Sequence, residues 1–381
     1  TRFKCDWSSD VCSSDLLFAL LTSLQAGAKK HILYVGTYTK GLTNGIFVYR
    51  FNDQTGRLVN LNRPAVSNNP SFLTISPNKK FLYAVGEVDN LDASQSGGIS
   101  AFKIESDGKL TFLNQVLSHG SNPCHVSLSP DGKKLVASNY SGGNLSFFNV
   151  LPDGKLSEMI QRVQHEGSGP FPERQTGPHA HSARFDSTGK LLYAADLGID
   201  ELKIYDAPSG DKLFTPHAQP FVKMLPGSGP RHFDFSADGR FIYVINELSS
   251  TITVLMKYGA EWKTVQNVKT LPKDYKGESW CADIHISPDG RFVYGSNRGH
   301  NSIAVFKRNE NSGKIELIEN MPVEGDWPRN FTLDPSGRFL LVANQKSNDI
   351  TVFKIDPVSG KLKYTGFKVP NESPVCLQFL R

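Results

Sequence analysis

One unit recurs six times along the chain, and this repeat limits the possible folds more than any other feature. The copies read SPNKKFLYAVGE from Ser76, SPDGKKLVASNY from Ser129, DSTGKLLYAADL from Asp186, SADGRFIYVINE from Ser236, SPDGRFVYGSNR from Ser287 and DPSGRFLLVANQ from Asp334. Their starts lie 53, 57, 50, 51 and 47 residues apart. In each, an apolar strand precedes a Pro-Asp-Gly type of turn and another follows it, which is the signature of a hairpin. A third strand comes next, as in GGNLSFFNV, SSTITVLMK, NSIAVFKRN and NDITVFKID, and a Gly-Lys-Leu type of turn leads into a fourth. Four strands in roughly 50 residues make one blade of a β-propeller.

The ends of the chain complete the count. His31 to Phe51 supplies the strands ILYVGTYT and GIFVYRF without an inner strand before them, and PVCLQFL from Pro374 resembles an inner strand with nothing after it. Joined, they form a seventh blade and leave no open sheet edge. The expectation is an all-β, seven-bladed propeller of four-stranded antiparallel blades, closed by its terminal segments. Residues 29–381 then form one domain, interrupted by a long loop from Gln164 to Gly177 before an inner strand. The alternative, an open array of sheets, would strand both half-blades.

Residues 1–28 read differently. Leu16 to Leu24 is a short apolar run followed by Gln25-Ala26-Gly27-Ala28 and two lysines, the pattern of a secretory h-region and cleavage site. In place of a basic n-region stands a segment in which Ser-Ser-Asp occurs twice, as in non-native leader sequence. The expectation is export to the periplasm or beyond if this signal remnant is real, and a cytoplasmic protein otherwise. No stretch of 18 apolar residues occurs to span a membrane. With 42 basic against 37 acidic residues and no run of like charge, the chain lacks a nucleic-acid tract but remains compatible with a small anionic ligand. Beyond Cys5 and Cys12 in the leader, Cys124, Cys281 and Cys376 are odd in number and widely spaced, so they are expected as small buried residues.

Propeller geometry selects candidate site positions. The start of each inner strand lies beside the end of its hairpin partner, on the face opposite the Pro-Asp-Gly turns. Eight residues before the turn glycine, or its equivalent, stand Ser71, Cys124, His181, Arg231, Ala282 and Arg329. The next position reads Phe72, His125, Ser182, His232, Asp283 and Asn330, and eight residues after the glycine come Glu87, Tyr140, Leu197, Glu247, Arg298 and Gln345. A single His or Arg at a strand end often only caps loop carbonyls, and Arg231 with Glu247 shares one corner and can form a structural ion pair. His181 and Arg298 are left over by that reading. His179-Ala180-His181 offers two metal ligands but spacing marks no third, so no metal and no cofactor is expected. No P-loop, GxGxxG, HExxH or GxSxG elbow is present.

The blocks HEGSGPFPERQTGPHAHSARFD, AADLGIDELKIYD, GSGPRHFDFSADGRFIYVINELSSTITVL and ADIHISPDGRFVYGSNRGHNSIAVF closely resemble the lactonase family of seven-bladed propellers. That family is typified by cycloisomerase-type 6-phosphogluconolactonases and related to a muconate lactonizing enzyme. The resemblance implies metal-free hydrolysis of a lactone, with His181, Arg231, Glu247 and Arg298 at the catalytic positions and a small, anionic or sugar-derived lactone as partner. His125, His179, Arg174, Asp283, His285, Arg329 and Gln345 are expected around the substrate. Glu247 or His181 would act as general base and the other as acid, with the arginines on the oxyanion or phosphate. The alternatives are a muconate-type cycloisomerase, or a non-catalytic propeller that holds an anionic ligand or glycan.

Overall fold

Each of the six repeats closes its hairpin through the side chain that heads it. In the computed structural model, which describes residue 1 and residues 29–208, 210 and 212–381, that side chain accepts the amide N–H at the start of the second strand. The donors to Ser76, Ser129, Ser236 and Ser287 Oγ are Phe81, Lys134, Phe241 and Phe292, at 2.9, 3.0, 2.9 and 3.0 Å. Where Asp replaces Ser, Asp186 and Asp334 Oδ1 accept from Leu191 and Phe339 at 3.1 and 2.7 Å. Ser and Asp exchange freely here because either oxygen satisfies an otherwise orphaned donor. The glycine that follows, as at Gly132 with φ 72° and Gly290 with φ 74°, sits in the left-handed region that side chains disfavour.

Seven sheets result. Six are four-stranded and run in chain order from inner strand to outer strand. Their inner strands are Leu73–Ile75, Pro123–Leu128, Ala180–Phe185, Pro230–Phe235, Trp280–Ile286 and Pro328–Leu333. In the seventh, Pro374–Phe379 pairs antiparallel with Lys30–Thr37, Val35 opposite Leu377, and Thr43–Asn52 follows outward. The inner strands touch in a closed ring, Pro328–Leu333 meeting Pro374–Phe379 and that strand meeting Leu73–Ile75. The predicted closure by the two ends of the chain is therefore present. The leader and signal segment expected in residues 1–28 lies, apart from residue 1, outside the described residues.

The core lies between blades. Tyr243, Ile245, Ile252 and Val254 of one blade pack on Ile284, Val293, Ala304 and Phe306 of the next, and Leu33, Val35, Phe51 and Phe379 of the closing blade pack on Leu341, Ala343 and Val352 of the blade before it. A tyrosine in the second strand adds a polar latch. Tyr34, Tyr83, Tyr243 and Tyr294 each donate their hydroxyl to a glycine carbonyl in the outer turn of the following blade, Gly108, Gly154, Gly313 and Gly360, at 2.9, 2.9, 2.7 and 2.9 Å. The recurrent Tyr and the recurrent Gly-Lys turn thus answer each other across the blade boundary. Cys124, Cys281 and Cys376 are buried free thiols, as expected.

A repeated irregularity aims side chains at the axis. Register shifts leave Cys124, His181, Arg231, Arg329 and Val375 without a cross-strand partner, each a bulge near the start of its inner strand. A bulge breaks the alternation of faces. The bulged residue and its successor consequently both face the channel, at different depths. The channel divides into a mouth, a constriction lined by Arg231, His232 and Phe72, and a second cavity toward the Pro-Asp-Gly turns.

The latch is testable at Tyr243, whose hydroxyl also accepts from Arg308 Nε at 2.6 Å. Tyr243→Phe should destabilise the protein by about 2 kcal/mol, since it orphans two buried partners. Thermal unfolding checks this, and an unchanged Tm would show that the latch contributes nothing.

Candidate active site

The mouth of the channel is a pocket of about 280 Å³ lined by Tyr38, Glu87, Cys124, Tyr140, Arg174, His181, Glu247, Trp280, Arg298, Trp327 and Arg329. These come from the bulged position, from the end of the second strand, and from the entry to the inner strand, where Trp280 is the first residue of its strand and Trp327 immediately precedes its own. Arg174 is the exception, arriving on the long loop. That loop is fastened by buried contacts: His165 Nδ1 lies 2.6 Å from Asp196 Oδ2, and Gln175 Nε2 donates to Leu197 O and Asp200 Oδ1 at 2.7 and 2.8 Å. Arg174, next to Gln175, is thereby brought over the rim.

Glu247 is the hub. Its Oε1 accepts from Arg174 Nη2 at 2.7 Å, and its Oε2 faces Arg231 Nε at 3.0 Å and Arg298 Nη2 at 2.7 Å. Burial alone would raise its pKa, but the charges of Arg298, Arg231 and Arg174 outweigh that and bring it to about 2. The carboxylate is ionised throughout the working range and weakly basic. Burial also draws Arg231 down to about 10, with Arg298 and Arg329 pushing the same way, so it keeps its charge at neutral pH.

Arg329 differs from the other three. Among the described residues its guanidinium makes no hydrogen bond; its nearest acid is Glu87, 3.8 Å away, and it lies 5.2 Å from the ring centre of Tyr38. Tyr38 meanwhile directs its hydroxyl at Glu87, 2.9 Å from both carboxylate oxygens. The pocket and its floor carry four guanidinium groups against two carboxylates, and the uncommitted one is suited to an incoming anion.

His181 stands beneath the aromatic wall, edge-on to Tyr140 at 5.4 Å between ring centres. Cys124 Sγ lies 3.7 Å from its Nδ1 and 3.2 Å from its carbonyl oxygen. Burial, reinforced by Arg231, lowers its pKa well below 6.5. The imidazole is neutral at neutral pH, and its Nε2 has no partner among the described residues.

His181, Arg231, Glu247 and Arg298 are thus brought together, with Arg174 and Arg329 around them. Others of the expected set stand elsewhere. His125, Asp283 and His285 line the cavity of about 420 Å³ on the far side of the constriction: His125 follows the bulged Cys124, Asp283 is the second residue of the unpaired stretch between Cys281 and Ile284, and His285 lies two residues further along that strand, opposite Tyr294. His179 backs the wall, stacked on Tyr140 at 4.4 Å with Nδ1 3.0 Å from the Tyr140 carbonyl oxygen. Gln345 lines none of these cavities. Among the described residues no cluster of three or more His, Cys, Asp or Glu side chains could hold a metal ion.

Sequence reasoning missed Tyr38, Trp280 and Trp327 as pocket walls. Tyr38 follows the second strand of the closing blade and completes the row Glu87, Tyr140 and Glu247, a row read only from the six copies that have a turn glycine or, at Lys79, its equivalent. Trp280 and Trp327 lie two residues before Ala282 and Arg329, the same offset that His179 has from His181.

Known proteins share this architecture and sequence. Residues 32–379 match the family described as lactonase, 7-bladed beta-propeller. The chain is 37% identical over 306 residues to the 6-phosphogluconolactonase of Bacillus subtilis (strain 168), spanning 79% of this chain and 84% of that protein. It is 40% identical over 308 residues to the 6-phosphogluconolactonase of Formosa agariphila, spanning 78% of this chain and 85% of that protein. The solved structure of the Pseudomonas aeruginosa periplasmic gluconolactonase superposes with a TM-score of 0.88 at 36% identity, covering 93% of this chain and 99% of that one. The chain belongs to the lactonase family of seven-bladed β-propellers.

Proposed function

We propose that the rim pocket hydrolyses an anionic sugar lactone of the 6-phosphoglucono-δ-lactone type. The observation that carries this reading is the excess of guanidinium groups, with Arg329 uncommitted. Two relatives described as 6-phosphogluconolactonases support it.

The chemistry needs an activated water, a stabilised oxyanion and a proton for the leaving alkoxide. Neutral His181 takes a proton from water as the oxygen attacks the lactone carbonyl. Arg298, held by Glu247 and by the Cys281 carbonyl oxygen at 2.9 Å, faces the developing negative charge. The imidazolium, acidic because its pKa is low, returns the proton to the ring oxygen as the C–O bond breaks. The product is the open hydroxy acid, which releases one proton at neutral pH. Glu247, already bonded to three arginines, organises cations instead of moving protons. Arg329 takes the phosphate, and the faces of Tyr38, Trp280 and Trp327 bound the sugar.

A second reading has its own support. The apolar Leu16–Leu24 run with its Ala-Gly-Ala end, together with the relative described as a periplasmic gluconolactonase, favours an exported enzyme for unphosphorylated lactone. Arg329→Ala separates the two. For a phosphorylated substrate it should raise KM at least about tenfold with kcat little changed, the loss of a charge-assisted contact. The same substitution should leave KM for plain gluconolactone within about twofold. Equal KM effects on both would contradict the phosphate assignment.

The base is tested by pH and by substitution. With His181 neutral, kcat/KM corrected for spontaneous ring opening should be flat above pH 6.5 and fall only as acid protonates the imidazole below that value. An activity limb centred above pH 6.5 would exclude His181 as the base. His181→Ala should lower kcat about 100-fold or more.

A further inference from the structure

Arg231 is held from beneath by residues outside the rim pocket. Its Nη1 donates to the Ala282 carbonyl oxygen at 2.5 Å and lies 3.4 Å from His232 Nε2. Arginine only donates, so Nε2 of His232 accepts and the imidazole proton is on Nδ1. That Nδ1–H points at Asp283 Oδ1, 2.7 Å away. The other carboxylate oxygen, Oδ2, takes Asn330 Nδ2 at 2.5 Å and faces His285 Nε2 at 3.1 Å. Asp283 is buried and Asn330 is itself fixed by accepting the Leu377 N–H at 2.7 Å. The chain of contacts therefore runs from the closing strand, through the second cavity, to the guanidinium that carries Glu247.

We infer that His232 and Asp283 are a positioning pair for Arg231: the carboxylate fixes the imidazole tautomer, and the tautomer fixes the orientation of the guanidinium at the channel constriction. The assignment rests on the lactone-hydrolysing reading of the rim for its kinetic consequence, though not for its geometry. It gives His232 and Asp283, which lie below the rim, a part in the reaction. An imidazole protonated on Nε2 would set donor against donor and turn Arg231 away. His181 and His125, whose rings stand 5.4 and 5.6 Å from that of His232, and Phe72 at 5.7 Å fix the plane of the ring without offering it another hydrogen bond.

Two substitutions at one position test the link. Gln at 232 can still present an oxygen where Nε2 stands, whereas Asn reaches only the Nδ1 position. His232→Asn should lower kcat at least about tenfold with KM within about threefold, and His232→Gln should keep kcat within about threefold of wild type. Equal kcat in the two variants, whether wild-type or equally reduced, would overturn the assignment, because a merely structural role does not distinguish which nitrogen is replaced. Should His232→Asn fail to fold, Asp283→Asn reports from the other end: a kcat reduced at least about fivefold supports the pair, and a wild-type kcat overturns it. If the wild-type protein opens no lactone, the functional reading fails and the pair is judged by ¹⁵N NMR of the His232 ring. Protonation on Nδ1 supports it, and protonation on Nε2 overturns it.

Discussion

Glu247 binds three guanidinium groups at once, and the mouth of the channel is organised around that contact. A buried carboxylate costs several kcal/mol unless it is paired and fully hydrogen-bonded, and buried arginines near one another repel. Here each problem offsets the other. Arg174 comes from the long loop, Arg231 from the same hairpin as Glu247 and Arg298 from the next blade. One carboxylate therefore ties three separate segments into a rim, and the cluster retains a positive bias that Arg329 presents to the pocket.

That arrangement exists only because the ring is closed. Neighbouring blades bury their faces on each other, and the last strand of the chain, Pro374–Phe379, completes the first blade. With the blades fixed, side chains on adjacent inner strands meet at hydrogen-bond distance at the axis. The bulge near the start of the inner strands then separates functions by depth: Arg231 faces the Glu247 cluster while its neighbour His232 faces Asp283. A regular strand would have turned one of the two away from the channel.

Much of the fold was legible because the repeat carries its reasons in the sequence. The Ser or Asp that caps the turn, the turn glycine and the alternating strands recur where the hairpins form, and the unmatched ends anticipated the closing blade. Counting from the turn glycine also picked out Glu247, Arg298 and His181, since hairpin geometry alone brings those corners to one mouth. The depth of each residue was not legible. A bulge changes no residue type and leaves no mark in composition, so His125 and Asp283 seemed by count to share a rim with residues one position earlier. Tyr38 escaped because the closing blade has no hairpin turn from which to count. The chemistry of Glu247 was also hidden. As a lone acid beside one arginine it reads as a possible base, and only the convergence of three arginines makes it a weak one.

The central claim is that Glu247 serves the reaction by holding its arginines and not by accepting a proton. The most direct measurement is the kinetics of Glu247→Gln, on protein shown to be folded, across a range of pH. Loss of the hub charge should lower kcat/KM at least about 100-fold and lower Tm, since removing one partner of a buried ion cluster costs about 3–5 kcal/mol. The residual activity should keep the acid limb that belongs to His181. A Glu247→Gln protein with wild-type kcat/KM, or one whose acid limb disappears with the carboxylate, would contradict the account.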